Sequence, residues 1–199
     1  KYGLKNLGLT IKYVDEDGEE LQTATGRELL YGGSYDLVTD NTIENARMIT
    51  VGTGSDEKQY VLDSIEGAVT GSNVTEAVTV TLVYSLDEDE NEVPDKYQAT
   101  VSYKVEGGTF KEAEGTDKTT VTQTYNMKKW DEASKTWVDD PKKLENIPTP
   151  EAGTGYDPAS GAWVGEEPTN DTTVEDGKEY TYKYGLKNLG LTIKYVDED

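Results

Sequence analysis

Apolar and polar residues alternate with a period of two over several separate stretches of this chain. Leu9, Ile11 and Tyr13 alternate with Thr10 and Lys12, and the run stops at Asp15-Glu16-Asp17-Gly18, a turn signal. Val78, Val80, Leu82 and Tyr84 alternate with Thr79 and Thr81. Tyr97, Ala99, Val101, Tyr103 and Val105 share one parity, while Gln98, Thr100, Ser102 and Lys104 hold the other; Tyr180, Tyr182 and Tyr184 close the series. A period of two is that of a strand with one face buried, and Val, Thr and Tyr suit a pleated, half-buried surface. Only Asn41 to Met48 has the composition for a helical turn or two. The pattern predicts a mainly β chain with little helix.

Residues 1 to 17, KYGLKNLGLTIKYVDED, recur without substitution as residues 183 to 199, a period of 182 residues (183 − 1). Identity at a fixed spacing marks a repeat architecture, so the sequence reads as a window on a tandem array. Between the strand groups lies Leu86 to Asp95, in which six of ten residues are acidic and Pro94 interrupts any ladder. These signals divide the chain into a tail of a preceding repeat at 1–6, a first module at 7–86 and an acidic linker at 87–95. A second module follows at 96–184, and residues 185–199 hold a hinge and the opening strand of the next repeat. Both modules are expected to be elongated and placed in tandem.

Within these boundaries the first module resembles a MucBP (mucin-binding protein) repeat. The resemblance is carried by Leu9 to Gly18, by Gly33-Ser34-Tyr35 and by Val78 to Tyr84, while Asn41 to Asp56 is longer than is usual there. It implies a β-grasp-like fold on the surface of a Gram-positive bacterium. The family name implies mucin binding, yet the matching residues are turn and core residues, so the resemblance assigns no binding residue. The second module resembles the SHIRT and internalin B-repeat type of β-grasp stalk domain. There the cues are Ile147 to Pro150, Gly155-Tyr156, Trp163, Thr172 to Val174, Gly177 and Glu179 to Tyr184.

Charge narrows the partners. Lys and Arg number 19 against 40 Asp and Glu, a net charge of −21. Such a field repels phosphate backbones and anionic membranes, which disfavours nucleic acid and lipid surfaces as partners. No apolar run approaches the ~20 residues of a membrane span. The chain has neither cysteine nor histidine, which removes disulfides, thiolate or imidazole zinc sites, and Ser-His or Cys-His nucleophiles. Carboxylates abound, but nothing in the sequence marks a pair for acid–base catalysis, and the expectation is that the chain is not an enzyme. Neighbouring repeats of the same chain are the expected partners.

Two constellations carry candidate chemistry. Trp130, Trp137, Tyr156 and Trp163, with Tyr125, Asp131 and Asp157 nearby in sequence, are the candidate glycan-binding residues, because sugars stack on aromatic faces beside carboxylates. The same aromatics also fit core and hairpin positions. Trp130 to Val138 and Tyr156 to Val164 share the pattern aromatic-Asp-x-Ala-Ser-x-x-Trp-Val, which predicts two hairpins with turns set by Asp and Ser. Asp87, Asp89 and Glu90 are the candidate calcium ligands, although Glu92 stands where an EF-hand loop needs glycine. Lys12, Lys104 and Lys183 are the candidate isopeptide donors, but their alternation with core residues fits exposed lysines better. The functional expectation is a cell-wall-attached stalk that projects a distal adhesive domain, with a multivalent glycan-binding repeat as its alternative.

Overall fold

The computed structural model describes residues 3, 5–115, 118–191 and 193. The chain is mainly β, as its alternation predicts, and among the described residues no helix is long and apolar enough to cross a membrane. Contacts divide it into two compact units. The first runs to Gln98 and takes in Lys128–Asp140; the second holds Ala99–Met127 and resumes at Pro141.

The first unit contains β1 (Leu9–Asp15), β2 (Glu20–Arg27), β3 (Tyr35–Asp36), α1 (Thr42–Asn45), β4 (Met48–Val51), β5 (Lys58–Glu66), β6 (Thr70–Gly71) and β7 (Val78–Asp87). Among the described residues, five of these strands form a sheet in the order β2-β1-β7-β5-β4. β1 and β7 pair in parallel, from Leu9 opposite Val78 to Asp15 opposite Tyr84. That register sets Ile11 beside Val80 and Tyr13 beside Leu82 on one buried face, with Leu37 and Ile43 packed over them. Lys12, of opposite parity, is exposed. A parallel neighbour cannot be reached by a tight hairpin, so the rest of the unit serves as the crossover.

Two local features close this unit. Asp15 Oδ1 accepts the backbone N–H groups of Asp17 at 3.0 Å and Glu19 at 2.8 Å, and Gly18 takes a φ of +84° that favours glycine. The turn after β1 is therefore fixed by the residues that announced it. Tyr84, fully buried at the centre of the sheet, donates its hydroxyl to the Ala46 carbonyl just past α1 at 2.6 Å. Burial pushes this phenol well above its ordinary pKa.

Along the rest of the chain lie β8 (Gln98–Glu106), β9 (Gly108–Phe110), β10 (Thr120–Asn126), β11 (Lys128–Asp131), β12 (Thr136–Asp139), β13 (Pro150–Ala152), β14 (Ala162–Trp163) and β15 (Lys178–Lys183). The sheet order is β10-β8-β15-β14, and β8 and β15 are again parallel, with Tyr103 opposite Tyr180. Val101, Tyr103, Phe110, Leu144, Val174 and Tyr180 form the second core. β9 pairs with β13, where a Cβ on Gly108 would lie 2.2 Å from the Glu151 carbonyl oxygen; only glycine allows that approach. Lys104 and Lys183, on the exposed parity, pair with Glu179 and Glu106 at 2.6 Å each.

The second predicted hairpin does not form. Pro158–Ser160 make a short 3-10 turn, capped by Asp157 Oδ1 accepting from Ala159 N at 2.9 Å, and Trp163 sits opposite Tyr182 of β15 rather than opposite Tyr156. Pro158 sets the backbone for a helical turn where the first motif has Glu132. The opening strand expected for a following repeat, 191–199, falls largely outside the described residues.

Candidate functional site

β11 and β12 form the first predicted hairpin, with Trp130 directly opposite Trp137. Asp131 builds its turn: Oδ1 accepts the Ser134 N–H at 2.6 Å and the Ser134 hydroxyl at 2.7 Å, and these bonds hold the Asp131 carboxyl below its usual range. Lys135 takes the left-handed conformation that the turn requires, with a φ of +55°. The two indoles meet edge to face at 5.6 Å.

This hairpin belongs to the first unit and packs on its sheet. Trp137 Nε1 donates to the carbonyl of Leu62 at 2.9 Å, where β5 breaks register with β7 between Leu62 and Ser64. The Arg47 guanidinium lies 4.4 Å from the Trp130 ring centre. Lys135 Nζ pairs with Glu132 at 2.7 Å and Glu44 at 3.4 Å. Beside Trp137, Tyr97 lies 5.5 Å away, ring centre to ring centre, and donates its hydroxyl to Asp63 Oδ1 at 2.6 Å. Burial and the Asp63 carboxylate push the Tyr97 phenol up to about 12. Lys96 Nζ reaches Asp63 Oδ2 at 2.8 Å and Glu16 at 2.5 Å. Burial opposes the Lys96 charge, but its carboxylate bonds outweigh that and raise its pKa.

Between β5 and the hairpin these residues enclose a cleft of about 450 Å³, lined in part by Asp63, Ser64, Tyr97, Ser134, Thr136 and Trp137. Both rings are half-buried. Its composition is an aromatic wall with a polar rim.

The four candidate aromatics do not share one unit. Trp130 and Trp137 lie in the first, Tyr156 and Trp163 in the second. Trp163 is half-buried, edge-on to Tyr182 at 5.1 Å and within 6.4 Å of Tyr103 and Tyr180. The Tyr156 ring packs so closely over Gly107 that a Cβ there would lie 2.5 Å from it. Tyr125 donates to the Gln123 side chain and accepts from Glu145 N, and Asp157 is the turn cap described above. Sequence reasoning missed Asp63, Lys96 and the facing role of Tyr97. The signal for Asp63 was a single charge in the apolar run Tyr60-Val61-Leu62-Asp63-Ser64-Ile65.

The acidic run after β7 is a hydrogen-bonded turn. Asp87 is fully buried, and its carboxylate accepts Asn91 N at 3.1 Å, Glu92 N at 2.9 Å and Gln59 Nε2 at 2.8 Å. Glu90 and Glu92 both take positive φ. Carboxylate oxygens of Asp87, Asp89 and Asp95 come within 4.8 Å of one another, whereas Glu90 stands outside that group. Burial raises the Asp95 pKa, its bonds to the Glu88 N–H oppose the rise, and the neighbouring Asp89, Glu88 and Asp87 charges add to it. Three acids at this spacing match the ligand type of a calcium site, but the buried member already spends its oxygens on the chain's own amides.

The fold defines a β-rich chain of two compact units. Residues 8–85 match the family model described as the MucBP domain. A solved structure described as "Streptococcal High Identity Repeats in Tandem (SHIRT) domains 3-4 from cell surface protein" aligns over 91% of this chain and 99% of its own, at 12% identity and a TM-score of 0.26. No curated protein matches the chain significantly.

Proposed function

We propose that this chain is a spacer in a bacterial surface protein, anchored at the cell wall and holding a distal adhesive domain away from it. The observation that carries this reading is the parallel pairing of the first and last long strands in each unit, β1 with β7 and β8 with β15. When a stalk is pulled, tension enters each parallel pair at the start of its first strand and leaves at the end of the second. In a parallel pair those points lie at opposite ends of the ladder. All its hydrogen bonds then resist together in shear, whereas a ladder pulled from one end opens bond by bond. A unit wired this way keeps its fold under tension, which is what a tether at a surface needs.

The 17-residue identity at a spacing of 182 residues adds to this, since a spacer gains reach by copying while a catalyst gains none. The test is a reporter domain carried on one, two or four copies of the unit on a bead, with its height measured by super-resolution microscopy. Height should rise by an equal step per copy. No growth with copy number would remove the spacer reading.

An adhesive repeat that gains strength by number is the second reading, favoured by the cleft beside Trp137. Mucin or other host glycans would be its partners.

A further inference from the structure

We propose that the cleft between β5 and the β11–β12 hairpin binds an uncharged saccharide, stacked on Trp137 and Tyr97 and hydrogen-bonded by Asp63. The inference rests on the adhesive reading and builds its site from first-unit residues alone, without Tyr156 and Trp163. Sugar recognition needs an apolar face for the ring C–H groups and a planar polar group beside it for the hydroxyls. The cleft supplies both. Trp137 and Tyr97 form its aromatic wall, and the Asp63 carboxylate stands between the Tyr97 ring and β5.

Asp63 retains acceptor capacity for this task. An ionised carboxylate offers about four lone-pair positions. The Tyr97 hydroxyl and the Lys96 ammonium take one each, on different oxygens. The remaining positions, with the Ser64 hydroxyl and the mutually bonded Ser134 and Thr136 hydroxyls as acceptors on the rim, suit a ligand that presents several hydroxyl groups. At about 450 Å³ the space is that of a small-molecule site, with room for one or two sugar rings.

The wall is also set before any ligand arrives. Trp137 is fixed by its bond to the Leu62 carbonyl and Tyr97 by its bond to Asp63, so little rotamer freedom is lost on binding. Charge selects among sugars. With a net charge of −21, and with Lys96, Lys135 and the Lys128 ammonium that lies 4.4 Å from the Tyr97 ring centre all paired to carboxylates, sialylated and sulfated glycans are repelled and neutral ones are not.

The test uses the full chain labelled with ¹⁵N, whose three indole N–H resonances are assigned with Trp130→Phe and Trp163→Phe. N-acetyllactosamine is titrated as the neutral probe and 3′-sialyllactose as the charged one. The expected result is a saturable shift of the Trp137 indole resonance with the neutral disaccharide, none at Trp163, and at least tenfold weaker binding of the sialylated probe. Thr136→Gln, a change at an exposed rim position, should weaken binding at least tenfold while leaving the thermal unfolding curve in place. No shift up to tens of millimolar, or a shift that survives Thr136→Gln, overturns the proposal. Capture of an array of several units on mucin-coated beads separates the two failures. Capture that Thr136→Gln leaves intact overturns the cleft and keeps the adhesive reading, whereas absence of capture overturns both.

Discussion

Replacing Trp137 with alanine should loosen the first unit and leave the second sheet unchanged. Truncating a fully buried aromatic costs roughly 3–5 kcal/mol, and a half-buried ring such as Trp137 about half of that. Loss of the indole N–H takes away the donor that the Leu62 carbonyl accepts, adding about 1 kcal/mol. The ring contacts with Tyr97 and Trp130 add roughly 0.5–1 kcal/mol more. The sum is about 3–4.5 kcal/mol, which raises the open population by on the order of 10²- to 10³-fold. Trp137→Phe keeps most of the ring and should cost about 1–2 kcal/mol. The assay is native-state hydrogen exchange read by mass spectrometry on the full chain. Peptides from β5 and β7 should lose protection by that amount, while those from β8 and β15 keep theirs. A change below about 0.5 kcal/mol in β5 and β7, or a loss confined to β8 and β15, refutes the claim that this hairpin is part of the first unit's fold.

Three further outcomes follow from the geometry. Asp87→Ala leaves the Asn91, Glu92 and Gln59 donors without their shared acceptor, so urea denaturation of the first unit should show a loss of about 2–4 kcal/mol, with Asp87→Asn costing less. Asp95 is held above its ordinary pKa, so its ionisation opposes the fold at neutral pH and that opposition disappears once both folded and unfolded chains protonate it. Asp95→Asn should therefore be neutral or stabilising at pH 7 and lose that advantage near pH 3, measured by Tm. Burial raises the Tyr84, Tyr97 and Tyr103 phenols, so above pH 10 the unfolded chain sheds protons that the folded chain keeps. Stability should fall as the pH climbs from 10 towards 12, and absorbance at the phenolate band should show these tyrosines titrating last.

The strands were legible because a half-buried sheet writes its inward face into every second residue. Leu9, Ile11 and Tyr13, and likewise Val80, Leu82 and Tyr84, are the residues the alternation placed inside. The parallel pairing of β1 with β7 was not legible, since alternation reports which face is buried and not which strand lies alongside. β2 was missed for a related reason: as an edge strand with most of its residues exposed, it carries no apolar stripe. The acidic run reads as an inter-module linker, and its internal order is not legible, because sequence cannot show that Asp87 turns inward to collect two backbone amides. At the candidate site, Trp137 was visible as a hairpin aromatic, but Asp63 and Tyr97 come from segments separated by a whole strand. Their meeting depends on where the hairpin docks, which no local spacing encodes. The repeated Asp-x-Ala-Ser motif was misleading at Tyr156, where one proline replaces a hairpin turn by a 3-10 turn.

The spacer account turns on shear across parallel end strands, and single-molecule force spectroscopy tests it with one ladder pulled two ways. Handles at Lys5→Cys and Glu88→Cys load β1 and β7 from opposite ends of their pairing, and handles at Lys5→Cys and Ala77→Cys load it from the end where Leu9 faces Val78. All three positions are exposed. The account predicts that the first geometry resists several times the force of the second before the first unit opens. Equal forces in the two geometries would contradict it.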